Sequence, residues 1–125
     1  MKKKILPHNH GQNTCKILEN LPSQGQCKDA AALFNPLGDA SRLRILWILC
    51  HCEECVSNIA AAVDMSVASV SHHLKILRLS GLIDGRRDGK EVYYTLARNN
   101  KAELIHRFIE EYFDIVCPSE GNDFY

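Results

Sequence analysis

Long apolar stretches are missing from this 125-residue sequence. The longest strongly apolar run, Ile45 to Cys50, has six residues, whereas a membrane-spanning helix needs about 20. The N-terminal lysines begin like a secretory signal, but Pro7 to His10 occupy the place where the apolar core of a signal should run. We therefore expect a cytoplasmic protein with no membrane partner.

Internal repeats and low-complexity tracts are also missing, as are the short motifs that mark common enzyme classes. The sequence has no nucleophile elbow, no phosphate-cradling glycine loop and no zinc-protease helix, so we predict that it is not an enzyme. Its length favours one domain. A hydrophobic fraction of 46% and a charged fraction of 24% are typical of a globular chain.

Net charge is absent too, with 15 basic and 15 acidic residues, but the charge is unevenly distributed. Residues 1–65 carry seven Lys/Arg and six Asp/Glu, residues 66–100 carry six and three, and residues 101–125 carry two and six. These blocks have charges of +1, +3 and −4. The basic middle block keeps an anionic partner open despite the neutral total.

The pattern along the chain predicts a mobile N-terminal arm over residues 1–26, a domain over 27–117 and a disordered tail over 118–125. The arm contains one expected turn near residues 16–21. A first helix is predicted from Gln26 to Leu37, and Asp39 can cap a second helix that is apolar nearly all round and therefore central.

Two further helices, joined by a short turn, are predicted next. Ser57 can cap a helix over residues 58–63, and Ser66 can cap a longer one that runs to about Ser80. This arrangement is typical of a helix-turn-helix. On the longer helix the apolar face is expected to hold Val67, Val70, Leu74 and Leu77.

A basic hairpin follows, with strands predicted over residues 82–86 and 91–96 around an Asp88-Gly89 turn. Helix-turn-helix and hairpin together predict a mainly α winged helix-turn-helix. A last helix, from about Asn99 to Val116, has an apolar stripe, which we interpret as the seam of a homodimer. The stripe comprises Ile105, Phe108, Ile109, Tyr112 and Val116.

Double-stranded operator DNA is the partner that this arrangement favours, because the major groove admits one helix and small side chains let its backbone approach. His72 and Lys75 can donate to bases or phosphates, and the hairpin can grip phosphate. The predicted DNA-binding residues are Ser66, Ala68, Ser69, Ser71, His72, Lys75, Arg86, Arg87 and Lys90. A merely solvated charged face, or a protein-interaction module, remains the alternative, and His73 is expected to pack in the core.

Three segments in this order resemble the ArsR/SmtB family of metal-responsive repressors: residues 37–46, residues 69–77 with Gly81-Leu82, and residues 86–96. The resemblance covers about residues 28–116. It implies a homodimeric winged helix that sits on an operator and leaves it when an inducer binds. It does not identify the inducer.

Six cysteines in a chain expected to stay reduced favour metal or redox chemistry over structural disulfides. Cys50, Cys52 and Cys55 lie within six residues and can converge on one thiophilic ion such as Zn(II), Cd(II), Pb(II) or arsenite. Cys15 is the candidate fourth ligand, with Cys27, His8 or His10 behind it. Cys52 and Cys55 are expected in a loop, placed for reactivity, whereas a plain core role for Cys50 is equally open.

The family pattern departs at two places. Thiolate-type relatives carry a second motif cysteine where this sequence has Ser57, although Cys55 matches the first. A second site that the family builds on its last helix corresponds here to Arg98, Asn100, Glu111 and Asp114, which chelate poorly, so we expect that site to be absent.

The alternative to a metal is a thiol redox or reactive-sulfur sensor. Cys50 and Cys117 are the candidate pair, each about one turn from the positions that the resemblance indicates, which hold Trp47 and Phe113. The predicted function is thus a repressor released from DNA either by a thiophilic ion or by thiol oxidation.

Overall fold

The computed structural model describes residues 5–116, and these form two compact units that divide after Phe34. The first unit holds α1 (Thr14–Leu18) and most of α2 (Gln24–Leu37). The start of α2 is fixed by a reciprocal cap: Ser23 Oγ accepts from the Gln26 amide at 3.1 Å, and Gln26 Oε1 accepts from the Ser23 amide at 2.9 Å. The helix therefore begins two residues before the predicted start.

The second unit contains four helices and a three-stranded antiparallel sheet among the described residues, with strand order β1-β3-β2. In chain order the elements are α3 (Ala40–His51), β1 (Glu54–Cys55), α4 (Val56–Val63), α5 (Val67–Leu79), β2 (Ile83–Asp88), β3 (Glu91–Leu96) and α6 (Asn100–Val116). No described helix is long and apolar enough to cross a bilayer.

The core of this unit is built from aliphatic side chains of every helix from α3 to α6. Its largest fully buried members are Ile45, Leu46, Leu49, Ile59, Val70, Leu74, Leu77, Leu82, Ile83 and Ile109. Because α3 contributes three of them, the prediction of a central helix is confirmed. Its predicted cap is also confirmed, since Asp39 accepts from the Arg42 amide at 3.0 Å.

The helix-turn-helix is formed by α4 and α5, as the sequence predicts. Ser66 caps α5 by accepting from the Ser69 amide at 3.1 Å, and Asp64 ends α4 in the left-handed conformation, with φ of 54°. The predicted cap of α4 is wrong, because α4 begins at Val56 and Cys55, rather than Ser57, is at its N-terminus.

The hairpin is confirmed, with Asp88 paired to Glu91 and Gly89 at φ of 64° in a two-residue turn. Its first strand extends two residues beyond the predicted end. The short strand β1 was not predicted: it pairs with β3, so that Cys55 lies opposite Tyr93 and belongs to a sheet rather than to a loop.

Two assignments of apolar faces are corrected. Val67 is 48% exposed and lies outside the core of α5. On α6 the predicted single stripe divides: Ile105 and Ile109 are buried, whereas Phe108 and Tyr112 are about half exposed and continue an outward row that starts at Leu104. The side chain of Val116 lies outside the described part of the chain.

Candidate nucleic-acid interface and cysteine segment

The outer side of α5 carries the predicted DNA-reading residues, which we call the recognition face. Its members are all exposed: Ser66, Ala68, Ser69, Ser71, His72 and Lys75. The core residues Val70, Leu74 and Leu77 are buried on the other side of the same helix. The face therefore combines small side chains near the helix N-terminus with two donors further along, on a helix that its own core contacts hold in place.

His73, the neighbour of His72, is half-buried rather than fully packed. Its Nδ1 lies 3.3 Å from Arg42 Nη1, and Arg42 Nε donates to the Pro36 carbonyl at 2.8 Å. An arginine can only donate, so Nδ1 of His73 is the acceptor. Arg42 thereby connects the start of α3 to α5 from behind the recognition face.

The wing is the hairpin of β2 and β3, and its basic residues differ in their surroundings. Arg87 and Lys90 are exposed, and neither forms an ion pair with any residue of the described range 5–116. Arg86 instead donates to both carboxylate oxygens of Glu53, from Nε at 2.9 Å and from Nη2 at 2.5 Å. This hydrogen-bonded pair lowers the pKa of Glu53 and raises the pKa of Arg86.

The cysteine segment, residues 50–55, runs from the last turn of α3 through β1. Cys50 is half-buried, and burial together with the carboxylate of Glu110 on α6 raises the pKa of its thiol to about 12. It is therefore a protonated thiol at neutral pH.

The other two thiols of the segment have separate environments. Cys52 is exposed at the end of α3, where its Sγ lies 3.5 Å from the Ile48 carbonyl, and burial followed by Glu54 raises the pKa of its thiol. Cys55 is only 8% exposed, with its Sγ 4.0 Å from a Glu54 oxygen. The expectation that Cys55 is placed for reactivity is therefore wrong for this conformation.

Within residues 5–116, no three His, Cys, Asp or Glu side chains are arranged to hold one metal ion. Cys50, Cys52 and Cys55 thus do not form a ready-made ligand set in a single chain, because each thiol has different neighbours. Of the other predicted ligands, Cys15 and Cys27 are exposed in the first unit. Cys117 lies outside the described residues.

One cluster of titratable groups was missed by sequence reasoning. The Nε2 atoms of His51 and His106 lie 2.8 Å and 3.3 Å from the same Glu110 oxygen, and His51 Nδ1 lies 2.7 Å from the Trp47 carbonyl. The i to i+4 spacing of His106 and Glu110 was visible in the sequence, but the approach of His51 depends on how α3 packs on α6. The cluster connects these two helices beside Cys50.

A helix-turn-helix with an exposed reading helix and a basic hairpin is a winged helix-turn-helix, the arrangement typical of DNA-binding regulators. The family described as "Bacterial regulatory protein, arsR family" matches residues 39–84. A transcriptional repressor SmtB homolog of Synechocystis sp. is 39% identical over 95 residues, covering 76% of this chain and 72% of the relative. The chain belongs to the ArsR/SmtB family and is not an enzyme.

A further relative agrees with this family, and two solved structures agree with the fold. The cadmium resistance transcriptional regulatory protein CadC of Listeria innocua is 46% identical over 85 residues, 65% of this chain and 71% of the relative. HlyU from Vibrio cholerae superposes with a TM-score of 0.67 at 26% identity, covering 76% and 99% of the two chains. A homodimeric winged helix-turn-helix domain from Mycobacterium bovis gives 0.64 at 24% identity, covering 84% and 100%.

Proposed function

We propose that this regulator represses transcription by binding operator DNA as a homodimer, with the recognition face of α5 in the major groove. The observation that carries the proposal is the recognition face itself, where all six predicted contact residues are exposed opposite a buried core stripe. The major groove is about 12 Å wide and accepts one helix, whose N-terminal residues then reach the base edges.

The wing supplies phosphate contacts in this proposal. Arg87 and Lys90 lie at the basic end of the hairpin, exposed and without an ion pair among residues 5–116. Phosphate contacts position a protein on the duplex, whereas contacts to base edges give sequence specificity. We therefore assign positioning to Arg87 and Lys90 of the wing and readout to Ser69, Ser71 and His72.

The homodimer is proposed from the outward row of α6, which consists of Leu104, Phe108 and Tyr112. Each of these side chains is about half exposed in the single chain, and Phe108 stacks on Tyr112 with ring centroids 5.7 Å apart. A contiguous apolar row on a small protein is typical of an interaction surface. A second copy is the favoured occupant because the structurally similar domain from M. bovis is homodimeric.

The DNA-binding proposal is tested by fluorescence anisotropy with purified protein and duplexes from its own promoter neighbourhood at low salt. Lys75→Ala is expected to weaken binding and to reduce the slope of log affinity against log salt by about 1 for each lost phosphate contact. Lys101→Ala is the matched control, since it removes the same charge from an exposed position on α6. Equal effects of the two substitutions would contradict a role for the recognition face.

For the inducer we propose a thiophilic metal ion, acting in the cytoplasm through the cysteine segment. The support is the similarity to CadC, a cadmium resistance transcriptional regulatory protein, and the exposure of Cys52. Because a single described chain offers no assembled ligand set, Cys50, Cys52 and Cys55 would need rearrangement and a further ligand, for which Cys15 is our candidate.

An anaerobic titration with Cd(II) tests this inducer, because cadmium thiolates absorb in the ultraviolet. The reduced protein should show thiolate charge-transfer absorption and lose DNA affinity, and Cys52→Ser and Cys55→Ser should reduce both. If Cd(II) has no effect whereas oxidation releases DNA, the alternative of a Cys50 and Cys117 redox pair is favoured instead. The raised pKa of Cys50 disfavours its thiolate in either role, as the reactive group of that pair or as a metal ligand, since both need the deprotonated form.

A further inference from the structure

The side chain of Arg86 crosses the three-stranded sheet to reach the cysteine segment. Arg86 on β2 is opposite Tyr93 on β3, and Tyr93 is opposite Cys55 on β1. The guanidinium carbon of Arg86 lies 5.1 Å from the centre of the Tyr93 ring. Beyond the ring, the guanidinium donates two hydrogen bonds to the carboxylate of Glu53, the residue just before β1.

Glu53 occupies one of the two hydrogen-bonding edges of the Arg86 guanidinium, the Nε/Nη2 edge. A guanidinium presents its N–H groups as a planar fork that fits a carboxylate or a phosphate equally well with two parallel hydrogen bonds. In Arg86, Nε and Nη2 are both used by Glu53, and Nη1 lies 3.7 Å from Asp88 Oδ2. A phosphate could not take the same two donors without displacing Glu53.

The neighbouring arginine, Arg87, has no such competitor among residues 5–116. Arg87 follows Arg86 on the same strand, yet it is exposed and has no ion pair with residues 5–116. Two adjacent arginines, on opposite faces of β2, thus differ in that a carboxylate of the cysteine segment already holds Arg86. The pair is solvent-accessible, with side-chain exposures of 56% for Arg86 and 34% for Glu53, so DNA could reach it.

We propose that Glu53 is an internal competitor of the DNA phosphate for Arg86 and thereby limits the affinity of the wing for DNA. The proposal rests on the DNA-binding function proposed above. In the Glu53-bound state Arg86 adds little to DNA binding, and it becomes a phosphate contact only when the pair opens. Because Glu53 follows Cys52 directly, the conformation of the cysteine segment and the availability of Arg86 depend on the same ion pair.

The test is a double-mutant cycle on the full-length chain, with anisotropy measured over a range of salt concentrations. Glu53→Gln removes the charge but keeps the shape. It is expected to tighten binding about three- to tenfold at low salt and to steepen the salt slope by about 1 for each freed arginine, or about 2 for a dimer. Arg86→Ala alone should change affinity much less than Arg87→Ala does. The double variant should lose the whole gain.

Glu91→Gln is the matched control, because Glu91 is an exposed acid of the wing with no ion pair in the described range. It reports the general effect of removing one negative charge. The competition is overturned if Glu53→Gln tightens binding no more than Glu91→Gln, or if the gain persists when Arg86 is absent. The wild type separates this competition from the proposed DNA-binding function. If neither the wild type nor Arg87→Ala binds any duplex, DNA binding itself fails.

Discussion

Single residues of this protein acquire their chemistry from neighbours that lie far away in the sequence. Cys50 follows five apolar residues at the end of α3, and the sequence leaves both a core role and a ligand role open for it. The structure adds Glu110 of α6, whose carboxylate acts together with burial to raise the pKa of the Cys50 thiol to about 12. A thiol in this state is a poor nucleophile and a poor metal ligand until its surroundings change.

Alkylation of the native protein at pH 7.5 checks this assignment. Cys50 should react with iodoacetamide far more slowly than the same residue in the unfolded chain, and Glu110→Gln should accelerate it because one of the two causes of the raised pKa is removed. Peptide mass spectrometry gives the rate at each cysteine. A rate for Cys50 that does not change on Glu110→Gln would contradict the influence of that carboxylate.

Asp39 gives a prediction for acidic pH. The hydrogen bond from the Arg42 amide lowers the pKa of Asp39 in the folded state. The native state therefore favours the carboxylate, and the stabilisation is fully present above the unfolded-state pKa and is lost as pH falls through the folded-state pKa. Asp39→Asn keeps a capping oxygen without the charge.

Urea unfolding of wild type and Asp39→Asn, repeated at falling pH, measures this contribution. The difference in the free energy of unfolding should be largest near neutral pH and should shrink once the wild-type carboxylate is protonated. A difference that is constant between pH 7 and pH 2 would show that the charge of Asp39 does not stabilise α3.

At the scale of elements, local signals in the sequence predict well and long-range pairing does not. The caps Asp39 and Ser66 and the hairpin signal at Asp88-Gly89 depend on residues within a few positions; both caps and the hairpin are confirmed, although the turn itself is Gly89-Lys90 and Asp88 belongs to β2. The strand β1 exists only because β3 pairs with it, and Glu53 meets Arg86 only across that sheet. Neither contact leaves a local pattern, so sequence reasoning treated the segment as a loop and Arg86 as unengaged.

Helix α6 shows a related difficulty, because periodicity finds one stripe where the helix has two apolar faces. The inner face of α6, with Ile105 and Ile109, completes the core of its own chain. The outer row contains Phe108 and Tyr112, which the core does not need. An apolar row that remains exposed in the single chain is available to a second copy.

The double substitution Phe108→Ala with Tyr112→Ala should raise the dissociation constant of the homodimer about tenfold or more, because aromatic residues often dominate interface energies. Sedimentation equilibrium measures this constant. The fold should persist, since both side chains are half exposed in one chain. Leu79→Ala, which shortens a 75% exposed apolar side chain on α5, is the control. Equal dissociation constants for all three proteins would exclude α6 as the dimer seam.

For the whole molecule, the described features agree with one arrangement. A core of aliphatic side chains holds α5 with its recognition face outward, the wing adds positive charge, and the outer row of α6 offers a surface for a second copy. Two copies would present paired reading helices, which must lie about 34 Å apart to enter successive major grooves. The cysteine segment runs from the last turn of α3 to the start of α4, directly before the helix-turn-helix.

The number of chains on one duplex tests this arrangement most directly. Reduced full-length protein, mixed at low salt with a duplex from its own promoter neighbourhood, can be examined by sedimentation velocity or native mass spectrometry. We predict a complex of two chains on one duplex, which the Phe108→Ala, Tyr112→Ala variant forms only at higher protein concentration. A complex with a single chain, or no complex at all, would contradict the account.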